Sequence, residues 1–458
     1  MKLHILHTND IHGHLEHWPA IHQHLVQRRQ ELESEGNKVL IFDIGDAMDS
    51  VHPLVEASQG QIMVDVMNEA GYDVVTIGNN EGLNFSQDQL SQRYQSAHYQ
   101  VVLSNLHTHQ DDDAPRWAHK TLIKNIAGIQ IGLIGLTAPY QTYALNQYHI
   151  LEPMAALKQA VDHLTSQGIH NIFLLSHLGY PKDLQIAESF PEIQLIFGAH
   201  THHVLFDGER HHETLLVASG RYGEFVGEVE IEFNQEGFID ALQAKTTTID
   251  KLAKDYGIDL QKDTYRDKGV ESLKQASIAQ NSKGYSALDV KSDHSFIKMA
   301  LEAIAWFGDC DLALLNTGLF LSDLPDGQVN HQDLHEALPH PMHLAKISMT
   351  GQELYELLCE VDEQVDDLQY KLINGLGFRG KVFGEIIYKG IDFVYDEQQW
   401  YVQGQAIQFE KVYHLITVDH LWFLPYFPSI DRYGHPQLIF PEFLRHVVGM
   451  YLHHIDQE

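Results

Sequence analysis

Met1-Lys2-Leu3-His4-Ile5-Leu6-His7-Thr8-Asn9-Asp10-Ile11-His12-Gly13 opens with a short apolar run and closes with two metal-capable side chains two residues apart. A run of this length, rich in branched apolar residues and bounded by turn formers, reads as a buried strand. A strand continued by Asp-x-His sends both polar side chains to one face, because side chains alternate with period two. The same order of apolar run and then polar residue returns at Asp46 in Phe42-Asp43-Ile44-Gly45-Asp46 and at Asn79 in Ile77-Gly78-Asn79-Asn80-Glu81. It returns again at His177 in Leu174-Leu175-Ser176-His177-Leu178-Gly179, and at His200 and His202 in Phe197-Gly198-Ala199-His200-Thr201-His202. Each cluster stands at the carboxyl end of an expected strand, the rim on which ligands of open α/β sheets converge.

Around these clusters, residues 1 to about 235 alternate apolar runs with amphipathic stretches. Strands are expected at Lys38 to Asp43, Tyr72 to Ile77, Gln100 to Asn105, Ile129 to Gly135, Ile172 to Ser176 and Ile193 to Gly198. Helices are expected at Trp18 to Gly36, Gln61 to Ala70 and Met154 to Gly168, glycine marking their ends. That is α/β layering. From Ala241 to Ser292 the chain turns polar and reads as a mainly helical connector. After it, a helix at Phe296 to Phe307, a strand at Leu312 to Leu315, a helix at Gly351 to Val361 and a hairpin-like run from Phe383 to Thr417 predict a smaller α+β domain. The domains are accordingly expected at 1–245, 246–292 for the connector and 293–458. A short acidic run, 111–113, reads as a solvated loop.

Hydrophobic residues make up 44% and charged residues 20%, the balance of a globular chain. Thirty basic against 63 acidic side chains leave a net charge of −33, which repels nucleic acid and anionic membrane surfaces. No apolar run reaches bilayer-spanning length. This charge still admits a small phosphorylated partner, because divalent cations would supply local positive charge, whereas neither nucleic acid nor membrane is expected. Strand-like sequence from the first residues leaves no room for a secretion signal, and Cys310 and Cys359 are too few for a disulfide framework. A cytoplasmic location is the expectation.

Carboxylates, imidazoles and one amide form a donor set suited to Mn, Fe or Zn rather than to a calcium cage. Seven donors are enough for two cations. A carboxylate such as Asp46 can bridge a pair roughly 3.5–4 Å apart that activates water for in-line attack at phosphorus.

The series Asp10-Ile11-His12, Gly45-Asp46, Gly78-Asn79-Asn80-Glu81, His177 and Gly198-Ala199-His200-Thr201-His202 resembles the calcineurin-like metallophosphoesterases, and within them the 5′-nucleotidase family. Leu315-Asn316-Thr317-Gly318, Ala337-Leu338-Pro339 and Met349-Thr350-Gly351-Gln352-Glu353-Leu354 resemble that family's C-terminal nucleotide-selecting domain. The resemblance implies a four-layer αββα sandwich followed by a smaller α+β domain. It implies one cation held by Asp10, His12, Asp46 and His202, and another by Asp46, Asn79, His177 and His200. It also places Asn105, Asn316 and Gly318 towards the substrate.

Three departures from the family pattern stand out. Asn80 replaces a histidine that stabilises the transition state or protonates the leaving oxygen, and Leu83 replaces the aspartate that orients it. An asparagine can donate a hydrogen bond but cannot transfer a proton, so Asn80 and the neighbouring His14 become the catalytic candidates. The arginine usual after the Asn-x-Gly turn is absent, with Arg379 in Gly377-Phe378-Arg379-Gly380 as the candidate replacement. The two base-stacking aromatics fall near Tyr388 and at Trp422 or Phe423, where a glycine-rich turn is replaced by apolar residues.

The expected function is a phosphohydrolase with two divalent cations (Mn, Zn or Fe) that releases phosphate from nucleotides or their derivatives by attack of a metal-bound hydroxide. The alternatives are a phosphodiesterase or phosphatase for a non-nucleotide substrate, and a metal-binding sensor or scaffold with little catalysis.

Overall fold

Strand Lys2–Thr8 lies inside a seven-stranded sheet ordered Ile239–Thr248, Phe225–Phe233, Lys2–Thr8, Lys38–Asp43, Val74–Val75, Gln100–Val102 and Ala118–His119. From Lys2–Thr8 to Ala118–His119 the neighbours run parallel, which sends the carboxyl ends of the first strands to one rim. The computed structural model describes residues 1–108, 113–373, 375 and 377–457. It divides into two units, Met1–Gly269 and Val270–Glu458. Apart from Asp113, the acidic run 111–113 lies outside the described residues.

A second sheet of the first unit has six strands, ordered Glu209–His211, Thr214–Val217, Ile193–Gly198, Asn171–His177, Ile129–Thr137 and Thr121–Ile126. Alternation of side chains divides each strand between two cores. Leu3, Ile5 and Phe42 of the first sheet meet Leu133, Phe173, Leu195 and Phe197 of the second. The opposite face of the first sheet, with Leu6, Ile41 and Val75, packs on helices Trp18–Ser34 and Gln61–Ala70. Ile172, Leu174 and Ile196 likewise face helices Pro153–Ser166 and Tyr180–Ser189. The layers are α, β, β, α, so the expected fold class holds. The ligand-bearing strands, however, belong to two facing sheets and not to one.

The polar stretch read as a helical connector contains more strand than expected. Ile239–Thr248 is the edge of the first sheet, antiparallel to Phe225–Phe233. Helices Ile249–Tyr256 and Thr264–Gln275 follow, then strand Ser277–Tyr285. An edge strand keeps one face in water, and here Ile239, Leu242 and Ala244 are only partly buried against the core, so no continuous apolar run marks it.

The second unit has a five-stranded mixed sheet ordered Ile386–Lys389, Leu312–Asn316, Val412–Val418, His343–Thr350 and Gln437–Phe443. Its core joins that sheet to helices Phe296–Gly308, Gly351–Leu368 and Leu444–Gln457. Thr350 starts the middle helix by a reciprocal cap with Glu353, the hydroxyl accepting Glu353 N–H and the carboxylate accepting Thr350 N–H. Among the described residues, no helix is long and apolar enough to cross a membrane.

Candidate metal centre

Beyond their last paired residues, strands Lys2–Thr8 and Lys38–Asp43 remain joined loop to loop. Asp10 N–H donates to Gly45 O at 3.0 Å, His12 N–H to Asp46 O at 2.8 Å and Gly13 N–H to Ala47 O at 2.9 Å. Along this zipper Asp10, His12 and Asp46 take positive φ of 51°, 49° and 53°, and His200 and His202 take 73° and 58° on the facing loop. Left-handed backbone at a non-glycine residue costs on the order of 1–3 kcal/mol and collects at functional sites.

Of the two buried carboxylates, Asp46 has one oxygen held by a protein donor and the other turned to the imidazoles, while the His200 N–H reaches both oxygens of Asp10. Asp46 Oδ1 accepts the Asn80 N–H at 2.7 Å, while Oδ2 lies 3.3 Å from His177 Nε2 and 3.7 Å from His12 Nε2. Asp10 Oδ2 accepts Asn9 Nδ2 at 2.8 Å and the His200 N–H at 3.0 Å. Its Oδ1 lies 3.5 Å from His202 Nε2, 3.7 Å from His12 Nε2 and 3.8 Å from His177 Nε2. Two groups result, Asp10 with His12 and His202, and Asp46 with His177 and His200, the donor atoms of each lying within 4.8 Å of one another.

Whether these residues suit divalent cations is answered by their lone pairs. His12 Nε2, His177 Nε2 and Asn79 Oδ1 are buried without a hydrogen-bond partner. Buried polar atoms are otherwise almost always satisfied. His177 Nδ1 donates to Ile44 O at 2.7 Å, which places a proton on that nitrogen and makes Nε2, 3.3 Å from Asp46 Oδ2, the atom that would face a cation. The donor set fits the two-cation expectation.

The charges are strongly coupled. Burial works against ionisation of Asp10, but the His12 and His202 rings outweigh it and hold the carboxyl well below its usual range. Burial also opposes charging of His177, and Asp46 outweighs it, pushing the ring up to about 10. His200 is pushed down, first by burial and then by His177.

Three supporting residues carried no role in the sequence reading. Glu81, 1% exposed, accepts N–H groups from Asp46, Ala47, Met48 and Gly78. Asn9 ties Asp10 to the facing loop, donating to Gly220 O at 2.7 Å and accepting the Ser219 N–H at 2.9 Å. Tyr222 lies with its ring 5.7 Å from that of His12 and 6.3 Å from that of His202. Their common signal is hydrogen bonding or packing across long sequence separations, which spacing cannot reveal.

The remaining candidates are less uniform. Asn80 stands beside the donor groups, its amide nitrogen facing His12 Nδ1 at 2.9 Å and Asp49 Oδ2 at 3.4 Å. His14 pairs with Glu16 at 2.6 Å and lies against Tyr222, ring centroids 4.1 Å apart. Asn105, expected to face substrate, is fully buried, and its amide both donates to Thr137 O at 2.8 Å and accepts Thr137 N–H at 2.9 Å. It is a strut. Asn316 is likewise fully buried, its Nδ2 donating to Phe383 O at 2.7 Å and its Oδ1 without a hydrogen-bond partner.

In the second unit Gly318 and Arg379 do line one cleft of about 650 Å³, together with Thr317, Phe320 and Lys381. Tyr388, Trp422 and Phe423 do not line it. Tyr388 packs edge-on to Trp400 at 5.9 Å, and Trp422 stacks on Phe423 at 4.9 Å while donating to Asp431. The three aromatics expected to stack a base thus lie outside the lining of this cleft.

Comparison with known proteins matches residues 3–204 to the calcineurin-like phosphoesterase family and residues 275–422 to the 5′-nucleotidase C-terminal domain. The metallophosphoesterase YunD of Bacillus subtilis is 31% identical over 98% of both chains. The 5′-nucleotidase of Vibrio cholerae is 23% identical, covering 84% of this chain and 81% of its own. Among solved structures, a putative 5′-nucleotidase from Staphylococcus aureus shares the fold with a TM-score of 0.67 at 17% identity, covering 99% of this chain and 96% of that one. The NAD nucleotidase of Haemophilus influenzae does so with a TM-score of 0.59 at 17% identity, covering 100% and 96%.

Proposed function

We propose, for a chain that belongs to the calcineurin-like metallophosphoesterases with a 5′-nucleotidase C-terminal domain and is therefore a hydrolase of phosphoric esters, that it releases phosphate from nucleotides or nucleotide derivatives at a two-cation centre. One observation carries the reading: two donor groups share a rim, and three buried lone pairs aimed into them have no partner. Asp10, His12, Asp46 and His202 would hold one cation, and Asp46, Asn79, His177 and His200 the other. Divalent cations so held supply Lewis acidity towards phosphoryl oxygens and make bound water acidic.

The chain's own residues prepare that chemistry. Asp46 presents Oδ2 between His177 and His12 because the Asn80 peptide holds Oδ1. The Asp10 oxygen facing three imidazoles is oriented by Asn9 and the His200 peptide. Asn80 stands in the motif position of the family's proton-donating histidine and cannot transfer a proton, which favours substrates whose leaving group needs little protonation. Nucleotide preference is supported by the nucleotidase relatives and by the Arg379 and Lys381 cleft of the second unit. The absence of Tyr388, Trp422 and Phe423 from the lining of that cleft favours, as a second reading, a phosphate ester without a base.

The test is a screen of manganese-loaded protein against nucleotides, sugar phosphates and cyclic diesters, with metal content measured alongside. Nucleotide turnover that disappears together with bound metal in Asp46→Ala is the expected result. Turnover persisting in metal-free protein would sink the reading, and release only from sugar phosphates or diesters would replace its substrate.

A further inference from the structure

His12 has two neighbours at Nδ1 that pull in opposite directions. Its Nε2 is buried without a partner, 3.7 Å from both Asp10 Oδ1 and Asp46 Oδ2. A neutral imidazole has one protonated and one acceptor nitrogen. Binding a cation through Nε2 therefore puts the proton on Nδ1, where it needs an acceptor.

The nearest group, Asn80 Nδ2 at 2.9 Å, is a donor. Its orientation is set by its other end: Asn80 Oδ1 accepts Asn79 Nδ2 at 3.1 Å, and Asn79 in turn directs Oδ1, without a partner, into the cluster. Turning the Asn80 amide over would set nitrogen against nitrogen at Asn79 and oxygen against oxygen at Asp49. As placed, Asn80 favours the tautomer with the proton on Nε2, which cannot ligate.

Asp49 offers the opposite preference. It is 1% exposed, and its Oδ2 lies 3.5 Å from His12 Nδ1. Its Oδ1 accepts the Val51 N–H at 3.0 Å, which anchors the carboxylate. The loop can pack this closely because Gly13 lies beneath it: a Cβ there would stand 2.6 Å from Asp49 O.

We propose that Asp49 is a positioning residue for His12, the carboxylate that receives the ring's Nδ1–H and so presents Nε2 to the cation at Asp10 and His202. The assignment rests on the two-cation reading and adds to it a residue in contact with a ligand but not itself one. Partners of this kind typically contribute 10–100-fold to metal affinity.

The experiment titrates metal-free wild type, Asp49→Asn and Asp46→Ala with Mn²⁺ by calorimetry, and records long-range proton–nitrogen spectra of the zinc-loaded wild type with labelled histidine. Wild type should bind two cations. Asp49→Asn should bind one as in wild type and the other roughly 10–100-fold more weakly, with an unchanged metal-free melting temperature, and His12 in the zinc form should carry its proton on Nδ1. Wild-type affinity for both cations in Asp49→Asn, or a proton on His12 Nε2, overturns the assignment. The spectrum decides even if the variant does not fold. Wild type that binds no cation overturns the two-cation reading itself, and Asp46→Ala with two wild-type sites refutes that reading alone.

Discussion

Glu81 holds Asp46 through the backbone: Oε2 accepts the Asp46 N–H at 3.0 Å, and the same carboxylate takes the N–H groups of Ala47 at 2.7 Å, Met48 at 2.9 Å and Gly78 at 2.9 Å. Four donors converge on one buried side chain and keep Asp46 at its positive φ of 53°. Burial and the Asp46 charge push the Glu81 carboxyl up, and the backbone donors work against that. Glu81→Gln turns one acceptor into a donor facing these N–H groups. Leaving buried donors unsatisfied costs about 1–3 kcal/mol, so denaturant unfolding of metal-free protein should show a loss of that order, with weaker cation binding. An unchanged unfolding midpoint would show that the loop is held by something else.

Gly78 tests the position of the Asp46 carboxylate separately. A Cβ at Gly78 would stand 2.1 Å from Asp46 Oδ1, the oxygen that accepts the Asn80 N–H. The Gly78 backbone is extended, with φ of −93° and ψ of −166°, so alanine meets no conformational penalty there. Gly78→Ala should therefore keep the fold at a cost of about 1–3 kcal/mol from overpacking, while metal content per chain drops. Full metal content would mean that the carboxylate can yield without losing its cations.

The two donor groups were legible because strand ends carry them: a buried strand announces itself by apolar residues, and a sheet brings its ends to a rim. What orients them was not. Glu81 reaches back to Asp46, Asn9 reaches Gly220, and Asn105 is bonded to Thr137. In each case the side chain's partner lies more than thirty positions from it, and no local pattern encodes the pairing. Asn105 looked like a substrate residue for the same reason that Asn79 looked like a ligand, since both follow a strand; only the facing sheet distinguishes a strut from a ligand. The second unit was harder still. His340 and Trp422 are chemically versatile residues whose places are set by stacking, His340 on Phe378 at 5.2 Å and Trp422 on Phe423 at 4.9 Å.

His340 carries a consequence for acid stability. It is 1% exposed, its Nε2 donates to Leu319 O at 2.8 Å and its Nδ1 accepts the Arg379 N–H at 2.9 Å, so the ring is neutral with both nitrogens occupied. Burial pushes it down to about 3. The unfolded chain binds a proton near pH 6.5 that the folded one refuses, so stability present above that pH is lost as it falls towards 3, with a slope of up to about 1.4 kcal/mol per pH unit. His340→Phe should lower stability at neutral pH and flatten the slope between pH 5 and 6 by up to one proton. An identical slope would show that His340 does not titrate differently in the two states.

The same contact sets the geometry of the second unit's cleft. By fixing the Arg379 peptide to the segment around Leu319, His340 brings Arg379 to the wall shared by Thr317, Gly318 and Lys381. If that wall binds the base or sugar of a nucleotide, its contacts are the same in ground and transition states. Losing them should then raise KM and leave kcat nearly unchanged. For Arg379→Ala acting on a nucleoside monophosphate, a rise of about tenfold in KM corresponds to about 1.4 kcal/mol of binding. Arg379→Lys should recover part of it, because a lysine keeps the charge but not the planar fork. Loss of kcat at constant KM would move Arg379 to the chemical step, and no change in either constant would remove this cleft from substrate selection.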